Sequence, residues 1–142
     1  MKKILSIDLE TLDTTTTAVI LEIGIAVGDT DGNVIEEFQM FPDIQDQINE
    51  GRTVRGSTIL WWMKQDETIL GTQHTAFRRP LEDVRAALAD FVIKHMSGAY
   101  VLGNAPSFDC DILSNFLGAK LWPFWVERDV RTARMKVPQE ER

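Results

Sequence analysis

Cysteine, histidine and long apolar runs are all scarce in this chain of 142 residues. The single cysteine, Cys110, has no internal partner, so no disulfide staples the fold, which suits a reducing cytoplasm. No apolar run approaches the roughly 18 residues needed to cross a bilayer, so no membrane span is expected. The N-terminal MKKILSIDLE carries two lysines and an apolar stretch, but Asp8 and Glu10 interrupt it too early for a signal peptide; it reads as a strand. Basic residues are outnumbered 15 to 22, for a net charge of −7, which argues against binding nucleic acid through a general basic surface. It does not argue against a nuclease whose active-site carboxylates are neutralised by divalent metal. Repeats, low-complexity tracts and Gly/Ser linkers are absent as well. With 44% apolar and 26% charged residues, the expectation is one soluble globular domain spanning 1–142.

What is present reads as alternating strands and helices. Residues 2–9 alternate and then run apolar, as in a half-buried or central strand. Residues 18–28, rich in Val, Ile and Leu, predict a second, central strand. Thr30-Asp31-Gly32-Asn33 predicts a hairpin turn, and 34–41 the returning strand. The polar segment 43–56 reads as a loop, and Ser57 as the N-cap of a short helix to about 65. An irregular stretch then leads to Pro80, which opens the clearest helix, with Leu81, Val84, Leu88, Phe91 and Val92 at three- and four-residue spacing. A short strand at 100–102, a helix over about 107–117 ended by Gly118, and a last strand at 122–126 complete the order. Asp129 is placed as the cap of a final helix. Three antiparallel strands followed by alternating helices and strands imply an α/β fold, a five-stranded mixed sheet with helices on both faces.

Asp8 and Glu10 stand two apart on the first strand, so both side chains share a face while Ile7 and Leu9 point the other way. Two carboxylates about 4 Å apart repel by about 4 kcal/mol at an effective dielectric near 20. A divalent cation turns that repulsion into binding, since Mg²⁺ and Mn²⁺ prefer carboxylate oxygen. The bland alternative is an edge strand carrying two solvated acids. Asp109 follows the short strand, at the kind of strand end where sites gather, although a helix N-terminal turn also favours an acid there. Asp111 competes for the same role, and spacing does not separate the two. Trp61 and Trp62 are adjacent on a helix and point about 100° apart, so one is expected to face the site as a base-stacking platform and the other to join the core.

The segment SIDLET resembles the first motif of the DnaQ-like, or DEDD, exonucleases, and GNAPSFDCDIL, with its Asn104, Phe108 and Asp109, resembles the second. STILWWMKQ and ERDVRT are similar to segments of the branch that includes DexA-like exonucleases and an RNase T-like exoribonuclease group. The resemblance covers residues 2 to about 134. It implies the RNase H-like fold and 3′-to-5′ hydrolysis of single-stranded DNA or RNA. Asp8, Glu10 and Asp109 would hold two Mg²⁺ or Mn²⁺ ions roughly 4 Å apart around the terminal phosphodiester. Thr11 and Leu12 would lie beside the 3′-terminal nucleotide, and Asn104 and Phe108 near the substrate, with ordinary core packing as the alternative for Phe108.

The third motif of the family, a His followed shortly by a fourth Asp, has no counterpart. His74 stands in a polar stretch and His95 near the end of the long helix, and five residues after them come Arg79 and Tyr100. The domain is expected to be truncated before that motif, completed by a partner in a homodimer, or catalytically incomplete. In the last case the alternative function is a nucleic-acid or protein binding module.

Overall fold

The computed structural model describes residues 2–103 and 106–129. Strand β1 (Lys3–Thr11) pairs antiparallel with β2 (Ile20–Asp29), and β2 pairs antiparallel with β3 (Val34–Pro42). The hairpin between β2 and β3 closes as expected. Gly32 takes a positive φ of 89°, and the Asp29 carboxylate accepts from the backbone N–H of Asp31 and Asn33. On β1 and β2 the odd-numbered side chains Leu5, Ile7, Leu9, Ile23, Ile25 and Val27 are buried, while the even-numbered ones face the opposite side. This two-residue period is the sheet's own geometry written into the sequence.

Between β3 and the long helix lie three short helices, α1 (Ile44–Asn49), α2 (Gly56–Met63) and α3 (Glu67–Thr75). Two of them correct the expectation of loop. In α1, Asp43 caps the first turn, and the only buried side chain is that of Gln47. The Gln47 amide accepts from the Ile20 N–H and donates to the Ile20 carbonyl, each at 2.8 Å, completing the start of β2. A helix whose buried residue is polar shows no apolar stripe. Asp66 caps α3, none of whose side chains is buried, so that helix too has no pattern to read. The cap expected at Ser57 is displaced: α2 begins at Gly56 after Arg55, which makes no side-chain capping bond.

A two-residue strand β4 (Arg78–Arg79) pairs with β3, and Pro80 then precedes α4 (Leu81–His95). Strand β5 (Tyr100–Gly103) runs parallel to β1 and leads to α5 (Pro106–Leu117), after which Gly118 turns the chain with φ 76°. The last strand is displaced from the expected 122–126. A 3-10 turn occupies Phe124–Val126, and β6 (Glu127–Asp129) pairs with β5. Trp122 is buried there, and its indole N–H donates to the Glu127 carboxylate at 2.9 Å, which anchors the turn. Asp129 therefore closes a strand, and the helix expected after it lies outside the described residues.

The sheet has six strands in the order β4-β3-β2-β1-β5-β6, with β1 central and mixed pairing throughout. Helices α4 and α5 pack Leu81, Val84, Leu88, Val92, Ile112, Leu113 and Phe116 onto its odd-numbered face. At the rim of the other face, α3 reaches the sheet through Gln73. The rest of that face forms an open concavity of about 340 Å³ lined by Ser6, Asp8, Gly24, Ala26, Glu37 and Gln39.

Candidate active site

The C-terminal half of β1 carries the acids. Asp8 is exposed and Glu10 half-buried on one face, with Ile7 and Leu9 buried on the other, as the period of the strand requires. Because β1 is central, the reading of an edge strand with two solvated acids does not hold. Across the β1–β2 ladder Asp8 stands opposite Gly24, and Glu10 opposite Glu22. Directly after Glu10 the register shifts, which redirects the chain beyond it.

Asp109 sits in the first turn of α5 and is buried. Loss of solvent, followed by the charges of Asp8 and Glu10, pushes its carboxyl up to about 7, against a hydrogen bond from the Leu9 backbone. Partial loss of solvent against the sheet face, and then Glu22, raise Asp8, although its side chain is still largely exposed; partial burial, then Asp8 and Glu22, raise Glu10. Asp8 and Glu10, two apart on β1, and Asp109, about a hundred residues later, thus share one field. Asp111, the competing acid, is half-buried on the same helix. Its neighbour Cys110 is fully buried, and burial pushes its thiol up to about 12, so it is no nucleophile.

Among the described residues, no group of three or more His, Cys, Asp and Glu side chains is arranged to hold a metal ion. The acids are coupled through their fields rather than gathered into a finished coordination shell.

The loop after β1 is fastened from several sides. Asp13 is buried, and hydrogen bonds from the Thr53 hydroxyl, the Thr14 N–H, Arg55 and the Thr15 hydroxyl outweigh its desolvation and hold its carboxyl down at about 2. The Arg55 Nε lies 3.0 Å from that carboxylate. Thr11 is buried, its hydroxyl donates to the Asp13 carbonyl at 2.8 Å, and its own carbonyl accepts from the Trp62 indole N–H at 2.8 Å. Trp62 is therefore the inward member of the pair. Trp61 stands edge-on to it, 5.1 Å between ring centroids, and is 54% exposed. Leu12, half-buried, helps line a cavity of about 420 Å³ with Leu21, Ile59, Trp62, Leu70 and Gln73.

Phe108 is half-buried and packs against the core cluster, while Asn104 lies outside the described residues. His74, expected in a polar loop, is in the last turn of α3 and borders the cavity. His95, in the last turn of α4 where the helix dipole favours a basic group, is not at the surface but buried, with Nε2 2.6 Å from the Glu36 carboxylate and its ring against Phe91. Glu22, Gln39 and Gln73 had no signal in the sequence. Glu22 lies within an apolar strand, and only the ladder register brings it opposite Glu10.

The family model for the Rv2179c-like 3′-5′ exoribonuclease domain matches residues 3–141. The chain belongs to that family. No curated protein matches it significantly by sequence. Among solved structures, this exoribonuclease-family domain is similar to Escherichia coli Exonuclease I in complex with a dT13 oligonucleotide, with a TM-score of 0.61 at 16% identity. That match covers 83% of this chain and 24% of the other. The metal-free form of the E. coli ExoI–ssDNA complex gives a TM-score of 0.59 at 15% identity, covering 94% of this chain and 29% of the other. The complex with a dA16 oligonucleotide matches with the same figures. The chain thus spans about a quarter of the length of the solved structures it resembles, and the likeness establishes the RNase H-like fold of the domain.

Proposed function

We propose that this domain hydrolyses single-stranded nucleic acid from its 3′ end, with Asp8, Glu10 and Asp109 as the reactive centre. The observation that carries the reading is the convergence of Asp109, in the first turn of α5, on the acids of the central strand: burial first, and then the charges of Asp8 and Glu10, lift its carboxyl to about 7. Such a cluster is unfavourable unless a cation compensates it. The donor set suits a hard divalent ion, being carboxylate oxygen throughout, and Mg²⁺ or Mn²⁺ fits that chemistry. Bound there, a divalent ion supplies an activated water and offsets the charge that develops on the leaving oxygen.

The chain's own residues do the rest. Asp8 and Glu10 are fixed in direction by their pairing with β2, just beyond the stretch where β1 also pairs with β5, and Asp109 comes from the first turn of α5. Leu12 and Trp62 line an apolar cavity just beyond Glu10, which has room for a nucleobase. Trp61 offers an exposed ring on which the next base stacks. Thr11 acts mainly by fixing this wall, because its hydroxyl and carbonyl are both occupied within the protein. The family points to RNA as the substrate.

A second reading is a module that holds 3′ ends without cutting them. It is favoured by one observation, the lack of a finished metal-holding group among the described residues.

The deciding experiment compares 5′-labelled RNA and DNA strands with free and with blocked 3′ ends, in Mn²⁺ and in EDTA. The proposal expects a ladder shortening from free 3′ ends only, and only with metal. Binding without any shortening would establish the second reading instead.

A further inference from the structure

Glu22 is a further carboxylate on the sheet face that carries Asp8 and Glu10, held in a way that an incidental surface acid is not. Gln73 donates from Nε2 to one of its oxygens at 2.8 Å, and Gln39 donates from Nε2 to the other at 3.0 Å. The direction of the Gln73 amide is fixed by chemistry. Arg78, which can only donate, places Nη2 3.0 Å from the Gln73 Oε1 and 3.1 Å from the Gln73 carbonyl, so Nε2 must turn toward Glu22. Arg78 is itself anchored by Nη1 on the Leu21 carbonyl at 2.7 Å, next to Glu22 in the chain. The relay Arg78–Gln73–Glu22 therefore ties α3 and β4 to β2.

This construction holds a carboxylate directly opposite Glu10, where like charges across a ladder destabilise the sheet. Both direct donors are neutral amides, and Arg78, whose charge also acts on Glu22, stands one step behind Gln73, so the oxygens are satisfied without a direct ion pair. A cross-strand pair kept at such a cost, and gripped so that it cannot swing away, is placed for its field.

We propose that Glu22, clamped by Gln39 and Gln73, is a positioning residue that raises the affinity of the Asp8–Glu10–Asp109 site for a divalent cation. It does so by adding fixed negative charge beside the site and by leaving Glu10 no neutral neighbour to fold back on. This inference rests on the metal-dependent reading above. A unit charge a few ångströms away, screened as in water, alters the binding constant of a divalent ion by about tenfold.

The test is Mn²⁺ binding to the free protein, measured by titration calorimetry in the absence of nucleic acid, with thermal unfolding of the metal-free form alongside. Glu22→Gln should bind Mn²⁺ about tenfold more weakly, while its metal-free form unfolds at the wild-type temperature or above, because a repulsion has been removed. Glu22→Asp, which keeps the charge, should restore most of the affinity. Gln73→Leu, which frees one oxygen of Glu22 and leaves the charge, should weaken binding by a few-fold and serves if the Glu22→Gln protein does not fold. Unchanged affinity in Glu22→Gln or in Gln73→Leu, with Asp8→Ala abolishing binding, would overturn the role of Glu22 and leave the active-site reading standing. Undiminished Mn²⁺ binding by Asp8→Ala would instead remove the reading itself.

Discussion

Asp109 shows how much one residue carries. Its carboxyl is raised to about 7 in the folded chain, whereas in the unfolded chain it titrates near its ordinary value of 3.8. Between those values the folded form holds a proton that the unfolded form has lost, so the metal-free protein loses stability as pH rises from about 4 to about 7. Asp13 works in the opposite sense. Held down at about 2, it stabilises the fold above its ordinary value, and that contribution is lost as pH falls from about 4 toward 2. Thermal unfolding in EDTA should thus show a decline in Tm between pH 5 and pH 7 that Asp109→Asn flattens and that saturating Mn²⁺ at pH 7 reverses. A decline of equal slope in Asp109→Asn would place its cause elsewhere. Of the candidate residues, Asp8 and Glu10 were the most legible in sequence, because two acids at strand spacing inside an apolar run fit an edge strand poorly, and the strand is central. Asp109 could not be chosen over Asp111 from spacing alone; burial and the field of the other two acids single it out. Glu22 was illegible, since its partner Glu10 is set by ladder register and its clamp by residues 17 and 51 positions away.

At the scale of elements, the long pieces were readable and the short ones were not. Strands β1 and β2 and helix α4 bury one face each, and their periods of two and of three to four residues declare it. Helices α1 and α3 were hidden because one buries a glutamine and the other nothing. The strand expected at 122–126 failed because its apolar content belongs to a tight turn pinned by the buried Trp122. Helix α2 shows both behaviours in neighbouring residues. Trp62→Phe leaves the buried Thr11 carbonyl without its donor and should cost about 1–3 kcal/mol of stability in denaturant unfolding. Trp61→Ala removes an exposed ring, so it should leave stability nearly unchanged while weakening single-stranded nucleic-acid binding by about 1–3 kcal/mol. The reverse pattern, with Trp61 affecting folding and not binding, would move the stacking platform off this helix.

The described residues form a single mixed sheet with its two longest helices on one face, Asp8 and Glu10 at the end of the central strand and Asp109 in the first turn of α5. The net charge of −7 argues against binding a strand of phosphates through a general basic surface, so under the proposed function recognition falls to the site: compensated carboxylates, the exposed ring of Trp61 and the apolar cavity. The class of fold and the exonuclease character were legible in two motifs a hundred residues apart. Both histidines of the sequence are accounted for by the structure in other ways, His95 by Glu36 and His74 at the cavity rim. The most direct measurement of the central claim is the single-turnover rate of 3′-terminal cleavage of a 5′-labelled RNA in Mn²⁺, for the wild type, Asp8→Asn and Asp109→Asn. If the two acids belong to one catalytic centre, each substitution should lower the rate by about 100- to 1000-fold while the strand still binds. Cleavage at the wild-type rate by either variant would contradict the account.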